Sequence, residues 1–408
     1  MFLDIMISDA TADVPMSYNQ MSILAENIFG IPISKQAISE RFNTGALNYT
    51  KNLLGEFLYE QTNSTINSVW FDMFNRVIIK DSTKFDVPEK MQKELPGFGG
   101  SASDAGCCIQ YEFDIKSGQV NDLSITPAKR PDSKDASETI DLVKTGDLTI
   151  RDLGYFKVEY FKSIQQKEAF FLSRLNTSIN TYQLKDSEYI EIDFGKLYKT
   201  MKKNGQLLVD IQAYVGSDDI FPVRLIIQLC PEEVFNQRMK SKNAYNKKKG
   251  HKTSDKYKER ARFSIYVTNI PSDKIEGVAV SKIYRMRWQI ELVFKAWKST
   301  FNLAKIKEMK YERLMCLLNI RLLLIMINWE VYSISREIRF KKTGKLLSLS
   351  KCLKTLKENI GKLRNILTRN CRGLIKWLTW VEKIFQSKHW LESKKNKVGL
   401  TNIIQLNT

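Results

Sequence analysis

Three features of the chain predict a mixed α/β fold. Short apolar runs suited to strands cluster between residues 70 and 175, helical stretches interrupt them, and both ends of the chain read as helical. With 408 residues, 43% of them apolar, the chain is long enough for one full core with two or three smaller modules.

The elements follow in order. Ser17 is placed to cap a helix that carries Met21, Leu24, Ala25 and Ile28 on one side and stops at Gly30, and Ser34 to cap a second, KQAISERFN. Two short helices around a Gly-Ile-Pro turn resemble a helix-turn-helix, and suit a plain helical hairpin at least as well. Val77, Ile78 and Ile79 form a strand that runs into Asp81, where a turn residue is the ordinary expectation. CIQYEFDI and DLSIT follow as strands around the turn-forming Ser117-Gly118. SKDASETIDLVKTG reads as helix up to Gly146, LTIRDLGYF as a strand ending near Asp152, residues 157 to 166 as helix, and AFFLSRL as strand. Three strands followed by helix, strand, helix and strand is the order of a ribonuclease H-like mixed sheet flanked by helices. YIEIDFG, QLLVDIQAYVG and VRLIIQLC then form a β-rich insertion, followed by a basic run from Arg238 to Arg262 that includes Lys247, Lys248 and Lys249. Beyond residue 300 the pattern is helical and Lys-rich.

Formal net charge is +19, from 64 Lys and Arg against 45 Asp and Glu, which favours a polyanionic partner. The basic residues are spread over several regions, so nucleic acid is favoured over a membrane surface. Six cysteines without a CxxC pair and only two histidines leave a structural zinc site without ligands at usable spacing. The opening MFLDIMISDATADVP lacks a basic start followed by an apolar stretch, so no secretory signal is expected. LLNIRLLLIMINW, residues 317 to 329, is short and carries Arg321, which suits a buried helix. A cytoplasmic protein without a membrane span is expected.

The segment SKIYRMRWQIELVFKAWKS, residues 281 to 299, reads as one amphipathic helix. At about 100° per residue, with Tyr284 at zero, Arg287, Glu291 and Lys298 share a narrow stripe, whereas Ile283, Met286, Ile290, Val293 and Trp297 form an apolar one. A solvated polar face is the common reading of such a helix. Trp288 on the polar side argues instead for a nucleic-acid stacking surface. Glu291 among Arg287, Lys295 and Lys298 fits either ion pairing or a metal-binding carboxylate between phosphate clamps.

Tyr284, Arg287, Glu291 and Lys298, with two, three and six residues between them, resemble the Y-(2)-R-(3)-E-(6)-K signature of the insertion-sequence-4 group of bacterial DDE transposases. IIKDSTKF resembles the group's first aspartate motif and TIRDLGYF its second, with Leu153 where an arginine is usual. Arg174 in FFLSRL resembles the arginine on the strand after the second motif. The resemblance extends over roughly residues 20 to 330. It implies Asp81, Asp152 and Glu291 as catalytic, metal-binding residues, with Mg²⁺ as cofactor and Mn²⁺ able to substitute. It implies Tyr284, Arg287 and Lys298 as DNA contacts; Trp288, Arg174 and Lys247 to Lys249 complete the expected interface. It further implies cleavage and strand transfer at terminal inverted repeats, a hairpin intermediate, target DNA as second substrate, and a homodimer in a synaptic complex.

The domain reading is a helical DNA-binding region over 1–68, a ribonuclease H-like core over 69–175 and 264–300, the β-rich insertion over 176–263 and a helical region over 301–408. Proteins of the group usually carry more helical sequence ahead of the part matching residues 20 to 60, which leaves open whether Met1 is the natural start. Two other readings share the carboxylates: a ribonuclease H-like nuclease without strand transfer, and an inactive DNA-binding derivative. The first gives no reason for the tyrosine, arginine and lysine stripe, and intact Asp81, Asp152 and Glu291 weigh against the second.

Overall fold

The structure is a computed structural model that describes residues 1–61, 71–100, 102–176, 178–217, 219–369 and 371–392. Residues 62–70 and 393–408, at the edges of the expected N-terminal and C-terminal regions, lie outside the described residues. In chain order the elements begin with α1 (Phe2–Thr11), α2 (Tyr18–Phe29), α3 (Lys35–Arg41), α4 (Thr44–Tyr59), β1 (Val77–Asp86), β2 (Gly106–Asp114) and β3 (Val120–Pro127). Next come α5 (Asp132–Glu138), β4 (Leu148–Arg151), α6 (Val158–Gln166), β5 (Phe170–Arg174), β6 (Thr181–Lys185), β7 (Glu188–Glu191) and α7 (Phe194–Lys203). They are followed by β8 (Leu208–Val215), β9 (Phe221–Leu229), α8 (Glu232–Lys249), α9 (Asp255–Ala261), β10 (Phe263–Thr268) and α10 (Gly277–Arg285). The last are α11 (Trp288–Ser299), α12 (Tyr311–Thr343), α13 (Leu349–Glu358), α14 (Ile360–Arg369) and α15 (Leu374–Lys388).

Strand order is β3-β2-β1-β4-β5-β10-β9-β8-β6-β7. Strand β4 runs parallel to both β1 and β5, and β10 turns antiparallel on β5. The first five positions have the order of a ribonuclease H-like core. The insertion strands continue the same sheet through β10, and α7, α8 and α9 stand among them, helices that strand patterning alone did not separate from the basic run.

Two compact units divide the chain: Met1–Ser68, Asp81–Arg130 and Trp288–Thr408 form one, and Val69–Lys80 with Pro131–Arg287 the other. The first is built on α12, which is apolar on most sides and buried over much of its length, 78% of its most apolar window being enclosed. Arg321 inside it is 1% exposed and donates through Nη1 to the carbonyls of Asn302 and Lys305, both at 2.9 Å, while its buried Nη2 has no hydrogen-bond partner among the described residues. Burial lowers its pKa to about 10, which leaves it charged at neutral pH. The caps expected at Ser17 and Ser34 are present: Ser17 forms a full capping box with Gln20, and Gly30 closes α2 in the left-handed region at φ 66°. Helix α1, ahead of them, lies in the region expected to be helical, but no side-chain cap marks its start at Met1.

The second unit packs α6 and the helices α5 and α7 on its part of the sheet. In α6, Tyr160, Phe161 and Ile164 recur at helical spacing and are buried, Phe161 stacking on Phe171 of β5 at 4.3 Å. Each such side chain contributes roughly 1.5–3 kcal/mol on burial. Helix α5 stops at Glu138, well short of the expected Gly146, because Thr139 begins a 3₁₀ turn and its hydroxyl bonds back to the Asp135 carbonyl.

Candidate active site

In the second unit, β1 and β4 are in parallel register from Val77 with Leu148 to Lys80 with Arg151. Successive side chains of a strand point to opposite faces. Lys80 is fully buried and ion-paired with Asp135 at 2.6 Å, and Arg151 lies 3% exposed over the Tyr160 ring at 4.4 Å. Asp81 and Asp152 are the residues that directly follow this buried, cationic pair. Asp152 sits just past the end of β4, where a 3₁₀ turn begins, and its side chain is 43% exposed. Its carboxylate has two signature residues beside it. Tyr284 Oη donates to Asp152 Oδ1 at 3.3 Å, and Arg287 Nε lies 4.0 Å from the same oxygen. Burial first, then the Asp152 charge, raises the Tyr284 pKa far above its ordinary value, so the hydroxyl keeps its proton.

Arg174, at the end of β5, pairs in register with Tyr266 of β10, and its charge is felt by both Tyr266 and Tyr284. The second unit therefore brings Asp152, Arg174, Tyr284 and Arg287 together. Tyr266, whose ring lies 5.3 Å from that of Tyr284, belongs with them and was missed from sequence. The alternation in FSIYVT was its available signal.

The continuous helix expected over 281–299 is corrected. Helix α10 ends at Arg285 and α11 begins at Trp288, with Met286 and Arg287 in a turn whose N–H groups bond three residues back, to Ile283 and Tyr284. One helical wheel does not span this break. Tyr284, placed on a polar stripe by the wheel, is 7% exposed. The break also divides the expected apolar stripe, although Ile283, Met286, Ile290, Val293 and Trp297 are each buried.

The first unit holds the remaining signature residues. Asp81 lies inside β1, which continues to Asp86, so it is a strand residue and not a turn; its Oδ1 accepts the Ser82 N–H at 2.8 Å. Glu291 is exposed in the first turn of α11, where a negative charge suits the helix dipole. Trp288 is 52% exposed at the start of that helix. Lys298 is half-buried and donates to the Lys84 carbonyl of β1 at 2.9 Å, burial lowering its pKa. Lys247, Lys248 and Lys249 are exposed in the last turn of α8 in the second unit. Other parts of the basic run serve the fold: Arg260 is 2% exposed, and Arg262 lies over Phe235 at 4.2 Å.

Among the described residues no three His, Cys, Asp or Glu side chains are gathered closely enough to hold one metal ion. The candidate donors are all carboxylate oxygens, a set that suits a hard divalent cation keeping several waters. Five cysteines are free thiols, and the Cys371 side chain lies outside the described residues.

A ribonuclease H-like sheet whose central parallel strands carry aspartates is shared by metal-dependent nucleases and by enzymes that also rejoin DNA strands. Among these the chain belongs to the transposase DDE domain family, whose model matches residues 72–328. The transposase of insertion sequence element IS231C from Bacillus thuringiensis subsp. berliner is 30% identical over 381 residues, covering 89% of this chain and 80% of that protein. The transposase of IS1151 from Clostridium perfringens is 30% identical over 404 residues, covering 95% and 85%. Among solved structures, a piggyBac transposase synaptic complex with hairpin DNA aligns at a TM-score of 0.44 and 10% identity, covering 98% of this chain and 77% of that one.

Proposed function

We propose that the protein moves an insertion sequence by cleaving and rejoining DNA at its terminal inverted repeats, with Asp81, Asp152 and Glu291 as the carboxylates of one Mg²⁺ site. The observation that carries this reading is the meeting of Tyr284 and Arg287 with Asp152, because it links two motifs that lie far apart in the sequence. A plain nuclease needs the carboxylates but not that tyrosine and arginine.

In this reading Tyr284, held neutral, fixes the orientation of Asp152 by donating to one oxygen and leaving the other for ligation. Arg287 offers a planar fork to a phosphate, and Lys298 and Arg174 add positive charge for the DNA end. Trp288 supplies an exposed stacking face. When bound, divalent ions of this kind activate the attacking oxygen and neutralise the leaving one. The insertion contains no tryptophan, so a hairpin intermediate would place a flipped base on a Phe or Tyr instead. Mn²⁺ substitutes for Mg²⁺, the working form is a homodimer joining two ends, and the setting is the bacterial cytoplasm.

The test is a time course on duplexes carrying the element's ends, with Mg²⁺ and with Ca²⁺, for wild type and for Asp81→Asn, Asp152→Asn and Glu291→Gln. Each variant is expected to lose cleavage by at least about a hundredfold, the scale of removing a preorganised charge stabiliser, with DNA affinity unchanged. Wild-type cleavage without strand-transfer products would replace this reading with the nuclease one.

A further inference from the structure

Helix α8 differs from the other helices of its unit in what it buries and what it shows. Its 18 residues span about 27 Å, and it ends at Gly250 in the left-handed region at φ 68°. It is held by polar and cationic groups on its back. Arg238 donates to the carbonyls of Ala261 at 2.9 Å and Phe263 at 2.7 Å and to Ser264 Oγ at 3.1 Å. Asn246 Nδ2 donates to Thr253 Oγ1 at 2.8 Å, and Lys242 lies over the Tyr257 ring at 5.1 Å. At about 100° per residue, Phe235, Arg238, Met239, Lys242 and Asn246 fall on one arc, the less exposed one. This explains why the helix has no apolar stripe that patterning could detect.

The opposite arc carries Asn236, Gln237, Lys240, Ser241, Ala244, Lys247 and Lys248, all exposed. Among the described residues none of these side chains has a hydrogen-bond or ion-pair partner. An ordinary solvated helix would carry Glu and Lys in i, i+4 pairs there. Here Glu233 in the first turn is the only acid on the arc, and from Asn236 onward the face holds amide, hydroxyl and ammonium groups. Asn and Gln are the side chains whose paired donor and acceptor match adenine N6 and N7, Lys matches guanine O6 and N7, and Ala packs on a thymine methyl. The basic end, Lys247 to Lys249, complements phosphates, consistent with the chain's net charge of +19.

We propose that α8 lies in the major groove of double-stranded DNA, reads base edges with Asn236, Gln237, Lys240 and Ser241, and grips the backbone with Lys247, Lys248 and Lys249. The insertion then contributes sequence recognition as well as charge. The inference rests on the reading of the chain as an enzyme acting on DNA ends.

The experiment is selection from a pool of duplexes with a randomised central stretch, using full-length wild type, Asn236→Ala/Gln237→Ala/Ser241→Ala, and Lys247→Ala/Lys248→Ala/Lys249→Ala. Wild type is expected to enrich a motif. The polar variant should lose the preference over about four adjacent base pairs, weaken the best site about tenfold, and keep its affinity for unselected DNA. The lysine variant should weaken binding to all duplexes and flatten the salt dependence. Guanine N7 methylation interference on wild type gives the same test without a substitution, with blocked positions expected inside that segment. An unchanged motif and interference pattern in the polar variant would overturn the role of α8 while leaving DNA cleavage intact. Enrichment of nothing by wild type, with no cleavage, would overturn the underlying reading as well.

Discussion

Single residues carry the chemistry, and Tyr284 is the one whose surroundings differ most from what its place in the sequence suggests. Its spacing from Arg287, Glu291 and Lys298 marked it as functional, yet a helical wheel put it on a solvated stripe. The structure buries it against Tyr266 with its hydroxyl on Asp152. No local pattern encodes that contact, because its two partners are brought together by the sheet. If the hydroxyl orients Asp152, Tyr284→Phe should slow cleavage about tenfold, equivalent to one lost hydrogen bond to a charged group. Metal concentration dependence should shift with it, which a purely structural role would not cause. The sign of the pH effect follows from the raised pKa: the proton stays on Tyr284 as pH rises, so wild type should keep its rate into the alkaline range where an ordinary tyrosine begins to ionise. A pH–rate profile of wild type and Tyr284→Phe checks both.

At the scale of elements, caps and periodicity were legible and connections were not. Ser17, Gly30 and Ser34 delimit α2 and α3 as their residue types require. By contrast the break at Met286–Arg287 has no Pro or Gly to announce it, and α8 hides because its anchored face sets Arg238, Lys242 and Asn246 among only two apolar side chains, Phe235 and Met239. The seating of α10, which carries Tyr284, depends on a contact of the same hidden kind. Gly277 opens the helix beside Asp210, and Asp210 is held by a two-point pairing from Arg224, at 2.8 and 2.5 Å. A Cβ at Gly277 would meet Asp210 Oδ2 at 2.7 Å and Leu208 Cδ2 at 3.2 Å. Gly→Ala inside a helix normally gains up to about 1 kcal/mol. Here the carboxylate cannot swing away without breaking its pair with a buried arginine, so overpacking of about 1–3 kcal/mol should win. Gly277→Ala is expected to lower Tm and cleavage together, measured by thermal unfolding and the end-cleavage assay; a raised Tm would show that α10 has room to shift.

For the whole molecule, the charge balance and the strand-helix order were enough to give the class, and the spacing of four residues gave the family. The proposed grouping of the carboxylates is one that no composition or period encodes, since Asp81, Asp152 and Glu291 come from a strand interior, a strand end and a helix's first turn. The claim that these three form one metal site is tested most directly by changing the ligand chemistry. A thiolate is a poor ligand for Mg²⁺ and a better one for Mn²⁺. Asp81→Cys, Asp152→Cys and Glu291→Cys should each be inactive on end-containing DNA in Mg²⁺ and regain cleavage in Mn²⁺. Asp135→Cys, at the buried Lys80 pair, should show no such metal-dependent recovery. Activity of any of the three in Mg²⁺ at the wild-type rate, or an absence of Mn²⁺ rescue at all three, would contradict the account.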